Sequence, residues 1–288
     1  EVPVEYGGIG LGNLDSILVL EELNYGCAGM ATTVAANGLG ATPLLIAGTE
    51  EQKRDYLGRL TAKCSYSAYA ITEPGSGSDA ASLSTTYRED GNGYVLNGTK
   101  HFITNGTVAD WIIVFATRDK SMRHKGISCF VVEGDAEGLT RTKMKGKMGQ
   151  RSSDTAELVL DSVHVPKSAM VGQEGTGFKI AMETFDRSRP QIGAIGCGIS
   201  ARALDECRRY ALDRKQFGQA IAEFQAIQFM LADMAIELEA MKLLTYKAGW
   251  LIDRGERSTI VSSYAKAFSA DRTMQIATNA VQIFGGYG

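Results

Sequence analysis

Residues 71–79 read I-T-E-P-G-S-G-S-D and form the most unusual stretch of this chain. They follow a short apolar run, typical of a β-strand, and they hold two glycines, two serines and a threonine. Glycine lets a backbone approach a ligand closely, and exposed N–H groups and hydroxyls suit a phosphate or the edge of a heterocycle. Because the segment is neither G-x-G-x-x-G nor a Walker loop, an ordinary loop between strands explains these residues equally well.

The sequence around this stretch predicts a β-region flanked by helices. From 65 to 165 there are short runs rich in Val, Ile, Tyr, Phe and Thr, separated by turn clusters such as E-D-G-N-G (89–93). Helical periodicity precedes this region and returns after residue 175, where Ser188 followed by Pro190 predicts the start of a helix. We therefore predict an α+β fold with a helical N-terminal domain (1–64), a middle antiparallel β-barrel-like domain (65–165) and a C-terminal helical bundle (166–288).

Composition and charge exclude several classes of function. The chain has 288 residues, of which 44% are apolar and 22% charged, as in a globular protein that can bury a sizeable core. With 30 Lys and Arg against 33 Asp and Glu, its net charge of −3 argues against a nucleic-acid partner. No uninterrupted apolar run approaches the ~18 residues of a membrane span, and the cysteines and histidines lack metal-binding spacing, so we expect neither a membrane span nor a metal. The first residue is not Met and the last residues are F-G-G-Y-G, so we expect both terminal domains to be truncated.

Three further motifs could bind a ligand, although each also has a structural explanation. In K-H-F-I-T-N-G (100–106), an aromatic residue and a threonine two apart share one face of a strand, where they could contact a planar cofactor or belong to the core. In D-R-K-Q-F-G (213–218), Arg214 could bind an anion, or the cations and the glycine simply end a helix. The terminal V-Q-I-F-G-G-Y-G (281–288) is either a helix stop or a backbone platform for a ligand.

Taken together and in this order, the motifs resemble those of the acyl-CoA dehydrogenase family. The resemblance covers the whole chain and is nearest to the short- and medium-chain enzymes, as E-E-L-N-Y-G-C-A-G (21–29) indicates. The segments that carry it are E-Y-G-G-I-G-L-G (5–12), A-I-T-E-P-G-S-G-S-D (70–79), H-F-I-T-N-G (101–106), K-M-G-Q-R-S-S-D-T (147–155), V-P-K-S-A-M-V-G (165–172), F-D-R-S-R-P (185–190), Y-A-L-D-R-K-Q-F-G (210–218) and Q-I-F-G-G-Y-G (282–288).

The resemblance implies a fold, a reaction and a set of partners. The fold would comprise a helical N-terminal domain, a middle β-domain and a C-terminal four-helix bundle, in agreement with the three predicted regions. The α-proton and the β-hydride of an acyl-CoA thioester would be removed with non-covalently bound FAD as cofactor, giving the trans-2-enoyl-CoA of fatty acid β-oxidation. Electrons would then pass to electron-transfer flavoprotein. The family also implies a homotetramer, in a bacterial cytoplasm or a mitochondrial matrix.

The resemblance also implies which residues form the site. Those expected at the flavin and its pyrophosphate are Tyr69, Ile71, Thr72, Gly77 and Ser78, and those expected beside the isoalloxazine are Phe102, Ile103 and Thr104. Those expected to reach the FAD of a neighbouring subunit are Arg214, Gln216, Phe217, Gln225, Gln282, Gly285 and Gly286. The substrate would contact Ser78, Asp186 and Arg189. Phe102 replaces the tryptophan usual in close relatives, and Gln216 stands where threonine or serine is common.

The sequence contains no residue in a position expected of the catalytic base, so the catalytic residue is unknown. In most of the family the base is a glutamate in a Tyr-Glu-Gly segment about twenty residues beyond the G-G-x-G motif, which predicts a position near ~309 of a longer chain. A minority of relatives place it where this chain has Ser188. Carboxylates near the motifs, Glu73 among them, are expected to be structural or solvated. Two other functions stay open: an acyl-CoA oxidase, and a non-catalytic relative that binds flavin or acyl-CoA.

Overall fold

The computed structural model describes residues 2–288, and contacts within the chain group them into two compact units. The first unit contains the residues up to Gly10 together with Thr32–Phe185, and the second contains Leu11–Ala31 together with Asp186–Gly288. The α+β fold class is confirmed, with helical regions before and after the strands along the chain. The three domains 1–64, 65–165 and 166–288 stay a prediction, since the compact units group the chain in another way.

An eight-stranded sheet forms the centre of the first unit. Its strands are β1 (Ser67–Ala70), β2 (Thr86–Asp90), β3 (Gly93–Thr104), β4 (Trp111–Thr117), β5 (Ile127–Glu133), β6 (Leu139–Lys143), β7 (Thr155–Pro166) and β8 (Met170–Val171). Their order is β6-β7-β3-β2-β4-β5-β8, with β1 paired to β4. The hairpin predicted at E-D-G-N-G is confirmed, because Asp90 of β2 faces Gly93 of β3. The sheet is mixed rather than antiparallel, because the long connections to β4 let β1 and β2 run parallel to it.

Strand β4 shows how the sheet buries both of its faces. All of its residues, W-I-I-V-F-A-T, are buried. Ile112 and Val114 pack in one core with Leu158 of β7, whereas Ile113 and Phe115 point the other way and pack in a second core that includes helical residues. A strand covered on both faces is apolar throughout instead of alternating, which accounts for its sequence.

Seven α-helices lie in the part of the chain that the structure describes. They are α1 (Asn13–Gly26), α2 (Ala28–Ala47), α3 (Glu50–Gln52), α4 (Gly58–Ala62), α5 (Gly177–Asp213), α6 (Gln225–Asp253) and α7 (Thr259–Phe284). A short hairpin of β9 (Lys215–Gln216) and β10 (Gln219–Ala220) follows α5. In the second unit, α5, α6 and α7 share a core that buries Cys197, Met234, Met241 and Ile276, and α1 packs on α6.

Helix α5 is continuous at the point where the sequence predicted a new helix to begin. It runs from Gly177 to Asp213 with Pro190 inside it, so the predicted helix start at Ser188 is wrong. A proline in a helix interior removes a hydrogen bond and costs about 3 kcal/mol. Packing on either side of the proline offsets this cost, because Ala181 is buried in the core of the first unit and Cys197 in the core of the second.

Helix α2 is long and apolar enough to cross a membrane by length and composition, although it holds no uninterrupted apolar run of that length. Among the described helices it alone meets that criterion by length and composition, with an 18-residue window of mean hydropathy 1.3. The indication is weak, because the core helix of a globular protein passes the same test. Ala41 and Leu44 of α2 are in fact buried in the second core of the first unit.

Candidate functional site

The glycine- and serine-rich segment 71–79 leaves the end of β1 and lies against β3. The backbone N–H of His101 donates to the carbonyl of Thr72 over 2.9 Å, so this segment and the motif 100–106 are neighbours. Glu73 and Ser76 exchange two backbone hydrogen bonds of 2.9 and 3.1 Å, which form a tight turn. The tip beyond the turn, including Gly77 and Ser78, is exposed. The structure therefore presents the backbone of the first motif beside the strand that carries the second.

A fully buried ion pair lies under this turn. The ammonium of Lys100 is 2.8 Å from a carboxylate oxygen of Glu73, and it also donates to the carbonyl of Ile71 over 3.2 Å. Burial lowers the pKa of Lys100 to about 8. Burial alone would raise the pKa of Glu73, but the charge and hydrogen bond of Lys100, with N–H donors at Thr85 and Ser84, bring it below its usual range.

Sequence reasoning did not assign a role to Lys100. Lys100 shares the strand parity of Tyr94 and Leu96, both of which are buried, and a lysine on a buried strand face requires a partner. That parity was not a distinguishing signal, because Val95 on the opposite face is buried as well, and it could not identify Glu73 as the partner. Glu73, which the sequence analysis expects to be structural or solvated, forms hydrogen bonds with four residues, Ser76, Ser84, Thr85 and Lys100.

Phe102 is presented at the surface by an irregularity in β3. The pairing of β3 with β7 shifts register between Lys100 and Ile103, and Phe102 has a left-handed backbone with φ of 59°. Its side chain is 64% exposed, which rules out the alternative that it is a core phenylalanine. Ile103 is buried, and Thr104 pairs with a residue of β7. Side chains therefore do not alternate strictly between the two faces of the sheet across this segment, as they would in a regular strand.

Asn105 is a second residue whose importance the sequence did not reveal. It is fully buried, adopts a left-handed backbone with φ of 61°, and directly follows β3. Its side-chain amide donates to the carbonyls of Thr33 over 3.0 Å and Ser67 over 3.2 Å. Asparagine tolerates this conformation better than most residues, so the Asn-Gly pair after an apolar strand was the available signal.

Tyr69 provides a test of whether a ligand belongs beside this segment. Its side chain is 8% exposed and packs edge-on or tilted against the rings of Phe115 and Phe185, at 5.1 and 5.9 Å. Its hydroxyl has no hydrogen-bond partner among the residues that the structure describes. Burial raises the pKa of Tyr69 well above its usual value, so the group stays a neutral hydroxyl. Buried hydroxyls are nearly always paired, and a polar atom of a bound cofactor would supply the missing partner.

The second unit brings most of the other predicted cofactor residues to one exposed area. The turn of the β9–β10 hairpin consists of Phe217 and Gly218, both with positive φ, and the side chain of Phe217 is 95% exposed. The ring of Tyr210, at the base of this hairpin, stacks on Phe284 with centroids 4.3 Å apart. The end of α7 therefore lies near the hairpin. The predicted residues exposed here and at the start of α6 are Arg214, Gln216, Phe217, Gln225, Gln282, Gly285 and Gly286.

The two predicted substrate residues of α5 contact each other. Asp186 forms an ion pair with Arg189, and its other carboxylate oxygen accepts a 2.7 Å hydrogen bond from the hydroxyl of Thr259. Both side chains are about one-third exposed, at 30% and 31%. Within residues 2–288 no group of three or more His, Cys, Asp and Glu side chains could hold a metal ion.

The mixed sheet and the helical unit place the chain in the class of α+β proteins. The glycine- and hydroxyl-bearing loop beside the sheet is suited to an organic cofactor. Three family models then match successive parts of the chain. They are the acyl-CoA dehydrogenase N-terminal domain over residues 1–63, the middle domain over 68–163 and the C-terminal domain over 175–288. The chain belongs to the acyl-CoA dehydrogenase family.

Individual relatives agree with this assignment. The chain is 44% identical to a probable medium-chain specific mitochondrial acyl-CoA dehydrogenase of Caenorhabditis briggsae, over 91% of this chain and 65% of that protein. It is 42% identical to a probable acyl-CoA dehydrogenase of Mycobacterium bovis, over 100% of this chain and 74% of that protein. The solved butyryl-CoA dehydrogenase of Megasphaera elsdenii is 42% identical with a TM-score of 0.96, covering 99% of this chain and 76% of that chain. The chain thus spans about two thirds to three quarters of the length of these relatives.

Proposed function

We propose that this chain binds FAD non-covalently and forms part of an enzyme that oxidises an acyl-CoA thioester to the trans-2-enoyl-CoA. The observation that carries the proposal is the hydrogen bond between the His101 N–H and the Thr72 carbonyl, which joins two motifs that are distant in sequence. The names of the relatives, two acyl-CoA dehydrogenases and a butyryl-CoA dehydrogenase, support the same reaction.

The residues of the first unit fit the proposed cofactor. Bound FAD would supply the acceptor for the β-hydride of the substrate. Thr72, just before the tight turn, and Gly77 and Ser78, beyond it, would hold its polar groups, together with Ile71 and the unpaired hydroxyl of Tyr69. Phe102, Ile103 and Thr104 would lie beside its ring system, where a donor such as the Thr104 hydroxyl stabilises negative charge. Ser78 would also contact the substrate.

The residues of the second unit would complete the site in an oligomer. We propose that Arg214 and the exposed residues around the hairpin and the end of α7 bind the FAD of a neighbouring subunit in a homotetramer. A guanidinium is well suited to a pyrophosphate. Asp186 and Arg189 would contact the CoA part of the substrate. The catalytic base is expected to be a glutamate near ~309 of a longer chain, poised by desolvation in a closed site.

Electron-transfer flavoprotein is the proposed electron acceptor, and a fatty acyl-CoA is the proposed substrate class. The relative from C. briggsae is described as mitochondrial and the one from M. bovis is bacterial, which supports a mitochondrial matrix or a bacterial cytoplasm as the location.

A flavin-bleaching experiment on the intact protein tests this proposal. The protein is expressed with excess riboflavin, its FAD content per subunit is measured, and thioesters from butyryl- to palmitoyl-CoA are added without oxygen. We expect a yellow protein whose flavin absorbance falls with at least one thioester and returns on adding electron-transfer flavoprotein. Rapid reoxidation with oxygen consumption when air is then admitted would indicate an oxidase, and a yellow protein that no thioester bleaches would indicate a non-catalytic relative. A colourless protein that does not take up FAD would refute the proposal.

A further inference from the structure

The buried pair of Glu73 and Lys100 holds three stretches of backbone together. Lys100 lies in β3 and is 0% exposed, and its ammonium donates to the carbonyl of Ile71 at the end of β1. The carboxylate of Glu73 accepts from the N–H groups of Ser84 and Thr85, at 2.5 and 2.9 Å. The pair thus ties both ends of the segment 71–85 to the strand that carries Phe102.

The hydrogen-bond partners of this pair indicate a role beyond packing in the hydrophobic core. A buried ion pair is often no more stabilising than apolar residues of the same volume, so its presence is better explained by the conformation it specifies. Apart from each other, Glu73 and Lys100 contact main-chain groups in the cited hydrogen bonds. The ammonium holds one main-chain carbonyl, and the carboxylate holds two main-chain N–H groups. These groups have few alternative arrangements, because an unpaired buried charge is costly.

The position of the ammonium also affects the electrostatics of the segment. Lys100 Nζ lies 3.2 Å from the oxygen of the Ile71–Thr72 peptide. A positive charge there orients and polarises that peptide, and Thr72 is the residue whose own carbonyl binds β3 at His101. Groups that are fixed before a ligand binds stabilise developing charge without a cost of reorganisation.

We infer that Glu73 and Lys100 are positioning residues, which set the segment 71–85 against β3 so that the cofactor-facing groups of both are preorganised. The inference rests on the proposed FAD site. It assigns no contact between these two side chains and the cofactor, and it concerns the affinity and the redox properties of the bound flavin rather than the chemical step.

Variants that remove the charges one at a time and together test this inference. In the intact protein, K100M keeps the length of the side chain and E73Q keeps its shape, and the double variant K100M/E73Q leaves no unpaired buried charge. We expect FAD to dissociate from K100M with a dissociation constant raised on the order of tenfold, as for loss of a charge-assisted hydrogen bond. The visible spectrum of the bound flavin is expected to change and its reduction potential to become more negative. The double variant is expected to recover thermal stability relative to K100M but to keep the weaker FAD binding.

An ion pair in the second unit, with a buried carboxylate and a lysine that is 28% exposed, serves as the control. Lys242 is 2.8 Å from Glu21, whose side chain is 7% exposed, and this pair joins α6 to α1. K242M is expected to unfold at a lower temperature and to bind FAD with an unchanged dissociation constant and spectrum. The inference is overturned if K100M/E73Q, folded and loaded with FAD, matches the wild type in dissociation constant, spectrum and potential. If the wild type itself takes up no FAD, it is the proposed function that fails. The two failures are distinguishable, because only the first is seen with a wild type that binds FAD.

Discussion

Replacing Tyr69 with phenylalanine is expected to change the stability of the FAD-free protein and its affinity for FAD in opposite directions. The Tyr69 side chain is 8% exposed and its hydroxyl has no partner among the described residues. The variant Tyr69→Phe keeps the ring that packs against Phe115 and Phe185 and removes only the hydroxyl. In the FAD-free protein this removes a desolvated polar group, whereas in the complex it removes a hydrogen bond to the cofactor.

The size of both effects follows from the cost of an unpaired group. A buried polar group without a partner costs about 1–3 kcal/mol, so the free energy of unfolding of the FAD-free variant is expected to rise by about 1 kcal/mol. For a chain of this size that is a rise of roughly 2–4 °C in the unfolding temperature. If FAD pairs the hydroxyl, the wild type gains the same amount on binding and the variant does not. Its dissociation constant for FAD is then expected to be about five- to tenfold higher.

Thermal unfolding of FAD-stripped protein and titration with FAD measure the two quantities. Tyr87→Phe is the control, because the hydroxyl of Tyr87 is already paired with Ser128 over 2.9 Å and with Glu174 over 3.1 Å. That variant is expected to be less stable by about 1 kcal/mol and to bind FAD normally. If Tyr69→Phe lowers the stability of the FAD-free protein and leaves its FAD affinity unchanged, the assignment of Tyr69 to the cofactor site is wrong.

Three further predictions concern packing, charge and the exposed hairpin. Gly198→Ala places a Cβ 2.2 Å from the carbonyl oxygen of Glu21, and thermal unfolding is expected to show a loss of about 1–3 kcal/mol. The control Gly38→Ala meets no atom within 4 Å and is expected to gain up to about 1 kcal/mol. Because the pKa of Lys100 is about 8 in the folded chain and about 10.4 when unfolded, the unfolded chain binds more protons between these values, and stability relative to K100M is expected to rise by on the order of 3 kcal/mol across that pH window in denaturant titrations. Arg214→Met is expected to weaken FAD binding about tenfold, measured by titration, without changing the unfolding temperature of the FAD-free protein, because the side chain is exposed.

For each of these three predictions, one measured result would contradict it. Equal stability of the Gly198 and Gly38 variants would show that α1 and α5 do not approach as closely as described. A stability difference between wild type and K100M that is constant from pH 8 to 10 would show that Lys100 does not titrate in that window. Normal FAD binding by Arg214→Met in the assembled protein would remove Arg214 from the cofactor site.

Local patterns in the sequence were sufficient for most of the elements and for the motifs. The cluster E-D-G-N-G predicts the β2–β3 hairpin because its residues favour a tight turn. Strand β4, apolar except for Thr117, was recognisable as a strand, and the fold class followed from the succession of helical and strand patterns. Such signals depend on neighbouring residues, whose influence on the backbone is short-ranged.

Contacts between distant residues were decided only by the tertiary structure. The parallel pairing of β1 with β4, the passage of α5 through Pro190, and the exposure of Phe102 on a bulge all depend on what packs against each segment. The same holds for the buried pair of Glu73 and Lys100, which lie 27 residues apart. The sequence by itself determined most of the elements, apart from the continuity of α5, and which residue types are available for a cofactor site. The tertiary structure decided which of those residues meet, because burial and pairing energies depend on the path of the whole chain.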